Sequence, residues 1–187
     1  MAPTSMLASF AANWRLLMFR GSISVLFGLA CLLWPRPAMG RLVFLFSAYA
    51  LADGVTAMTL ALRGRGAQSF GSLLMEGLIG VTAGIAGMMY TTMPASQLPW
   101  LIAAWATARG VAGALTARAL RRELSEDWPI AALAGLSIIF AALIMPGHVL
   151  DPLALALLFA FYAIFLGIMV VSIAHRLHQL AHEMALT

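Results

Sequence analysis

The sequence contains no lysine, a single cysteine and few charged residues of either sign. Charged residues make up 10% of the 187 residues, whereas a soluble domain averages roughly 25%. Hydrophobic residues make up 63%, and the mean hydropathy is +0.95. A water-soluble helical domain needs polar helix faces, and no long apolar segment of this chain has one that is wide enough. The composition therefore predicts an all-α integral membrane protein.

The missing lysines and the scarce cysteine exclude further classes. All 11 basic residues are arginines, and they stand singly or in twos at the ends of apolar segments. Nucleic-acid binding needs a clustered basic face, so the net charge of +4 predicts no nucleic-acid partner. Cys31 lies within an apolar segment and leaves no intramolecular disulfide to form. Residues 1–13 lack a basic n-region, so we expect no cleaved signal peptide.

Apolar segments of membrane-spanning length follow one another along the chain. The six predicted spans are about 14–34, 42–62, 70–92, 100–117, 128–145 and 152–174. Seven flanking arginines fall on the side shared by the two termini, and two fall on the opposite side. The positive-inside rule therefore predicts a multi-pass protein with both termini in the cytoplasm, N-in and C-in.

A short motif recurs in the second, fourth and sixth spans: an aromatic residue, alanine, three variable residues and glycine. The copies begin at Tyr49, Trp105 and Tyr162, at offsets of 56 and 57 residues. Such a period is the mark of a chain built from repeated units. We interpret the three aromatic residues as packing residues, with the lining of a cavity as the alternative.

The repeat predicts one membrane domain over residues 1–187, made of three tandem parallel helical hairpins. The hairpins span about 14–62, 70–117 and 128–174, and a cytoplasmic tail follows at 175–187. We call these hairpins units one, two and three.

A face of small residues marks the first helix of each unit. In unit one it consists of Gly21, Ser24, Gly28 and Cys31, and unit two repeats it at an offset of 56. Spacings of three and four put these residues on one helix face, where they let neighbouring backbones approach closely. Unit three repeats the face weakly from Gly135 onward. The predicted packing glycines are Gly21, Gly28, Gly54, Gly77, Gly80, Gly84, Gly87, Gly110, Gly135 and Gly167.

Glycine, proline and aromatic residues carry a resemblance to a known family. They include Arg20-Gly21 with Gly28 and Trp34-Pro35, Asp53-Gly54, Glu76-Gly77 with Gly84 and Pro94, the segment 105–110, Trp128 with Gly135 and Pro146, and the segment 162–167. In this pattern the chain resembles the HdeD family of bacterial inner-membrane proteins, which are linked to acid resistance. The resemblance implies six transmembrane helices, a place in the bacterial inner membrane and a stress role. It supplies no catalytic residues.

Ionisable residues inside the predicted spans are the strongest functional signal: Arg20, Asp53, Glu76 and Arg109. An unpaired charge near the bilayer centre costs roughly 2.5–3.5 kcal/mol, so these groups must pair or meet water. Arg20 and Glu76 are equivalent in the first helices of units one and two, and Asp53 and Arg109 are equivalent in the second helices. The sign thus reverses at both positions, and approximate symmetry would bring each carboxylate to an arginine.

Unit three has apolar residues, Ala134 and Leu166, at these two positions. Two interpretations of the charges stay open: structural ion pairs that fix helix neighbours, and a polar or proton-responsive site. Under the second, acid would protonate Asp53 or Glu76 and leave an arginine without its partner.

The tail carries His175, His178 and His182 on one helical stretch. The last two have the i, i+4 spacing of a metal-chelating pair, which makes them weak candidates only. We favour a solvated helix face over a pH-sensing patch or a metal site, and we predict no metal and no cofactor.

Two functions fit these features. The first is a non-enzymatic inner-membrane protein that supports acid or envelope stress tolerance through a charged helix-packing core. The second is a small proton, ion or solute channel or transporter with its polar pathway between the first two hairpins. The chain offers no nucleophile–base pair, no motif for metal catalysis and no large loop, so we predict no enzyme. The lipid bilayer is the predicted partner, and a second copy or another membrane protein stays open.

Overall fold

The chain is a bundle of helices in a computed structural model that describes residues 12–33, 39–64, 70–89, 97–120, 128–144 and 152–186. The helices are α1 (Trp14–Leu33), α2 (Met39–Arg63), α3 (Phe70–Met89), α4 (Leu98–Leu120), α5 (Trp128–Ile144) and α6 (Pro152–Leu186). They begin and end within a few residues of the predicted spans, except that α6 continues without a break through the predicted tail.

Length and surface both mark a helical membrane protein. Four segments of the described helices are long and apolar enough to cross a membrane: Trp14–Leu33, Arg41–Arg63, Phe70–Met89 and Leu153–Gln179. A shorter apolar helix covers Ala134–Ile144. Every helix exposes large apolar side chains, such as Leu33, Phe44 and Leu143. A soluble monomer rarely exposes apolar surface on all sides, whereas membrane hydrocarbon covers it without cost.

The helices pack mainly between units. The second helix of each unit makes its most extensive contacts with the first helix of the next unit: α2 with α3, α4 with α5, and α6 with α1. Contacts within a unit, such as those between α1 and α2, are less extensive. Since the last helix returns to the first, the three interfaces close into a ring. The predicted parallel orientation of the hairpins and the cytoplasmic termini stay predictions.

At each of the three interfaces, a glycine at the same repeat position lies in close contact with the neighbouring helix. A Cβ added to Gly54 would lie 2.5 Å from the backbone nitrogen of Val81, and one added to Gly167 would lie 2.7 Å from the backbone oxygen of Gly21. Gly110 lies in the same way against α5. The first helices contribute further close contacts with backbone at Gly28, Gly77, Gly80 and Gly84, and Gly87 faces the Ser47 side chain. No larger side chain fits at these approaches, which lets backbone pack on backbone.

Gly135 does not pack as predicted. A Cβ added there would meet no atom within 4 Å, whereas the neighbouring Ala134 faces Gly110 across the α4–α5 interface. Ala134 therefore takes the place that Gly21 has in unit one. The predicted alignment of unit three with unit one is therefore wrong by one residue. Unit three has alanine at the close contact, and the glycine next to it faces away from α4.

The bundle axis is aromatic. Tyr49, Trp105 and Tyr162, the first residues of the repeated motif, are all buried. The Trp105 ring centroid lies 5.7 Å from that of Tyr49 and 6.5 Å from that of Tyr162. Phe27 stacks on Tyr49 at 4.5 Å, and Phe140 stacks on Tyr162 at 4.0 Å. The second helices α2, α4 and α6 thus line the axis, and the first helices pack around them.

Candidate functional site: a buried ring of four charges

Helices α1 to α4 each bring one charged side chain to the same place. These are the four residues singled out in the sequence: Arg20 on α1, Asp53 on α2, Glu76 on α3 and Arg109 on α4. Their side chains are 3–10% exposed. The repeat explains the meeting, because equivalent positions in units one and two face each other where the units pack.

Asp53 lies between the two arginines. Arg20 binds it in a bidentate fork, with Nε donating to Oδ1 at 2.6 Å and Nη2 donating to Oδ2 at 3.0 Å. From the other side, Arg109 Nη1 donates to Oδ2 at 2.7 Å. Charge-assisted bonds of this length and fork geometry are among the strongest side-chain contacts.

Glu76 closes the ring. Its Oε1 accepts a hydrogen bond from Arg20 Nη2 and lies 3.6 Å from Arg109 Nε. Each carboxylate therefore contacts both arginines, and the signs alternate around a ring of zero net charge. We call these four residues the charge ring. Alternation keeps like charges apart, which is what a buried set of ions needs to offset the loss of hydration.

Arg109 has two further partners. Its Nη1 donates to the hydroxyl of Tyr49 at 3.3 Å, and that hydroxyl shares a hydrogen bond of 3.0 Å with Ser24 Oγ. The Arg109 guanidinium carbon lies 5.2 Å from the Trp105 ring centroid, within the range of a cation–π contact. We interpreted Tyr49 as a packing residue and missed this polar role. The matching 25-residue spacing of Ser24–Tyr49 and Ser137–Tyr162 could have revealed it.

Unit three keeps the hydroxyl pair without the charges. Ser137 and Tyr162 share a hydrogen bond of 2.9 Å, and Leu166 is buried at the position of Asp53. With the corrected register, Leu133 rather than Ala134 corresponds in sequence to Arg20. The same scaffold position thus holds a charge in two units and leucine in the third.

Apolar layers lie on both sides of the charge ring. Toward one end, where α1 begins and α2 ends, the buried residues Leu60, Ala61 and Leu73 form a small cluster with Leu16 and Leu17 packed against it. We call this end the Trp14 end. On the other side lies the aromatic axis. The ring is therefore enclosed rather than open to a wide aqueous space.

The histidine tail gives no metal geometry in the part of the chain that is described. The His178 ring packs against Trp14 with 4.1 Å between centroids, and His175 Nε2 lies 3.4 Å from Gln179 Nε2. The side chain of His182 lies outside the described residues. Within those residues, no group of three or more His, Cys, Asp or Glu could hold a metal ion.

Comparison with known proteins finds a repeat family. The model of the family described as "Short repeat of unknown function (DUF308)" matches twice, over residues 19–89 and 75–146. The second match begins one residue before Glu76, as the first begins one residue before Arg20, so both share the register of the charge ring. Together the matches cover more than half of the chain. No curated protein and no solved structure matches it.

Proposed function

We propose that this chain, which belongs to the DUF308 short-repeat family, is a non-enzymatic protein of the bacterial inner membrane that supports tolerance of acid or envelope stress. The single observation that carries the proposal is the charge ring, in which four helices from two units meet through three buried ions and the half-buried Glu76, in alternating sign. The resemblance to the HdeD family supports both the membrane and the stress role.

Arginine placement supports an orientation with the Trp14 end in the cytoplasm. Arg15 and Arg63 are exposed at this end, and Arg176 is exposed on α6 close to the level of Trp14. Positive residues concentrate on the cytoplasmic side of inner-membrane proteins. The charge ring then lies in the cytoplasmic half of the bundle, since Arg20 is about 9 Å along α1 from Trp14 at 1.5 Å per residue.

Acid acts on this ring in one direction. Protonation of a carboxylate removes a negative charge from between two arginines and leaves the ring with a net positive charge. Since each carboxylate contacts both arginines, losing one negative charge leaves both arginines with one acidic partner fewer, and we expect acid to lower the free energy of unfolding. Breaking one partner out of a buried ion pair costs about 3–5 kcal/mol, enough to weaken the ionic links of the ring.

A polar pathway between the first two hairpins is the alternative function. It is favoured by one observation: hydrogen bonds lead from the ring through Tyr49 to Ser24 without interruption. Beyond Ser24 the axis is filled by aromatic rings, including Phe27 and Phe159 at a centroid distance of 5.0 Å. This filling favours a responsive core over a conducting path.

Acid survival and flux together test the two functions. Bacteria that lack the gene would receive the wild type or a variant in which all four ring residues are leucine, and purified protein would be assayed for proton flux in liposomes. We expect the wild type to raise survival after acid challenge, the variant not to, and neither to conduct. Equal survival with and without the wild-type gene would overturn the stress role. Acid-dependent flux in the wild type alone would replace it by the pathway.

A charge-reversed protein is the matched control. Exchange of one pair, Asp53→Arg with Arg109→Asp, would set like charges side by side, because Asp53 also contacts Arg20 and Arg109 also contacts Glu76. Reversal of all four charges restores the alternation. A response that depends on the ring should return in this fourfold variant.

A further inference from the structure

The two carboxylates of the charge ring are held very differently. Asp53 uses both oxygens to accept three hydrogen bonds from the two arginines. Glu76 makes both of its arginine contacts through Oε1, and its 3.6 Å distance to Arg109 Nε is beyond hydrogen-bond length. Asp53 accepts three hydrogen bonds from the arginines, and Glu76 accepts one.

Position adds to this difference. Asp53 projects from α2, which lines the axis, and its side chain is 3% exposed. Glu76 projects from α3, which packs outside the axis, and its side chain is 10% exposed. Glu76 lies six residues, about 9 Å at 1.5 Å per residue, from the start of α3 at the Trp14 end. The carboxylate with fewer hydrogen bonds is thus also the less deeply buried one.

We propose that Glu76 is the carboxylate at which the charge ring takes up and releases protons, while Asp53 stays ionised as the fixed anion between the arginines. This inference rests on the proposed acid response and names the group that carries it. Among the described residues, the charged and titratable groups that face Glu76 are Arg20 from α1 and Arg109 from α4. Asp53 and Tyr49 from α2 lie behind those arginines.

The consequence is a local opening of the ring. When Glu76 is neutral, Arg20 keeps its fork on Asp53 and Arg109 keeps its bonds to Asp53 and Tyr49. Only the ionic link of α3 to α1 and α4 is lost. Helix α3 remains attached to α2 through the close contacts of Gly77 and Gly80 with Gly54, so α2 and α3 shift together or not at all.

Labelling with dicyclohexylcarbodiimide tests this assignment directly. The reagent enters apolar surroundings and adds to a protonated carboxylic acid, forming an N-acylurea that contains all atoms of both reactants. Purified protein in detergent micelles would be labelled between neutral pH and about pH 5, where carboxylates begin to protonate. Peptide mass mapping then gives the modified residue.

We expect the adduct on Glu76, with labelling that rises as the pH falls, and at least about tenfold less on Asp53, which accepts two more hydrogen bonds. Glu76→Gln should abolish the membrane-segment adduct, and Asp53→Asn should leave it in any folded fraction. A dominant adduct on Asp53, or no adduct on Glu76 at any pH, would overturn the assignment. Mapping the adduct in the wild-type protein is sufficient to test the assignment, so the test does not depend on whether a variant folds. Labelling is also independent of survival, so the stress role can fail while this assignment stands.

Discussion

Units one and three share one local design and differ in what they place beside it. In each, a serine on the first helix bonds a tyrosine on the second, Ser24 with Tyr49 and Ser137 with Tyr162, and a phenylalanine stacks on the tyrosine. In unit one the neighbouring position on the second helix is Asp53, which binds two arginines; in unit three it is the buried Leu166. The scaffold therefore packs with or without charge at that position.

Unit two shows how far the design can be altered. It has Trp105 in place of the tyrosine, with Gly80 and Ala83 in place of the serine and the phenylalanine. The face of the Trp105 ring lies near Arg109. The three units thus hold different side chains at equivalent positions of one repeat.

The largest effect is expected when unit one is given the residue that unit three has at the position of Asp53, which is leucine. Asp53→Leu leaves Arg20 and Arg109 with Glu76 as their one acidic partner in the ring, so we expect the free energy of unfolding to fall by about 3–5 kcal/mol. Denaturation of the purified protein in mixed micelles, followed by circular dichroism, measures it. The control is Leu166→Met, which keeps the volume and should cost less than about 1.5 kcal/mol. Equal losses in the two variants would mean that the charges have no special part in stability.

A second comparison uses a glycine at a close helix contact, Gly54, and a glycine with open space beside it, Gly135. Gly54→Ala should cost about 3 kcal/mol, because the new Cβ would press on the backbone of α3 at Val81, Gly77 and Gly80. Gly135→Ala meets no atom within 4 Å and should leave stability unchanged or raise it by up to about 1 kcal/mol through helix propensity. Thermal unfolding of both variants in the same detergent gives the comparison. A loss in Gly135→Ala as large as that in Gly54→Ala would restore the register predicted from the glycine pattern.

The tyrosines test whether the hydroxyl pair serves the ring. Tyr49→Phe removes the contacts to Ser24 and to the charged Arg109, and we expect a loss of about 2 kcal/mol, since hydrogen bonds to charged groups contribute more than neutral ones. Tyr162→Phe removes the contact to Ser137 and should cost about 1 kcal/mol. In the background of Arg109→Leu, the difference between the two should disappear. If it persists there, Tyr49 matters through packing rather than through the ring.

The smallest expected change in stability comes from the largest substitution. Replacing all four ring residues with leucine extends the chemistry of unit three to the whole bundle, and exchanging buried ions for apolar groups is often neutral or stabilising. We expect unfolding at neutral pH within about 1 kcal/mol of the wild type, with the fall in stability on acidification abolished. Titration of both proteins from neutral to acid pH checks it. A strongly destabilised variant at neutral pH would show that the ring is needed for folding itself.

Periodic features of the fold were predictable from the sequence, and contacts between distant residues were less so. The spans follow from hydropathy, and the meeting of the four charges follows from the 56-residue repeat. The sequence did not predict which helices pack most closely. Helix α1 packs on α6, which is far from it along the chain, and a local sequence pattern does not indicate such a contact. The register of α5 was misjudged because alanine and glycine serve equally as small residues at a close contact. The contact of Tyr49 with Arg109 could not be predicted, because it depends on how α2 and α4 are rotated against each other.

The closure of α6 on α1 has a consequence for how the protein is made. During synthesis α1 is made before α6, so the glycine face of Gly21 and Gly28 is at first uncovered. Arg20 can meet its acid once α2 arrives, but the glycine face waits for Gly167 and its neighbours on the final helix. A nascent chain that does not yet include α6 therefore has an unpacked face on α1. Helix α6 completes the packing of α1, and we expect a truncation before α6 to leave that face of α1 uncovered.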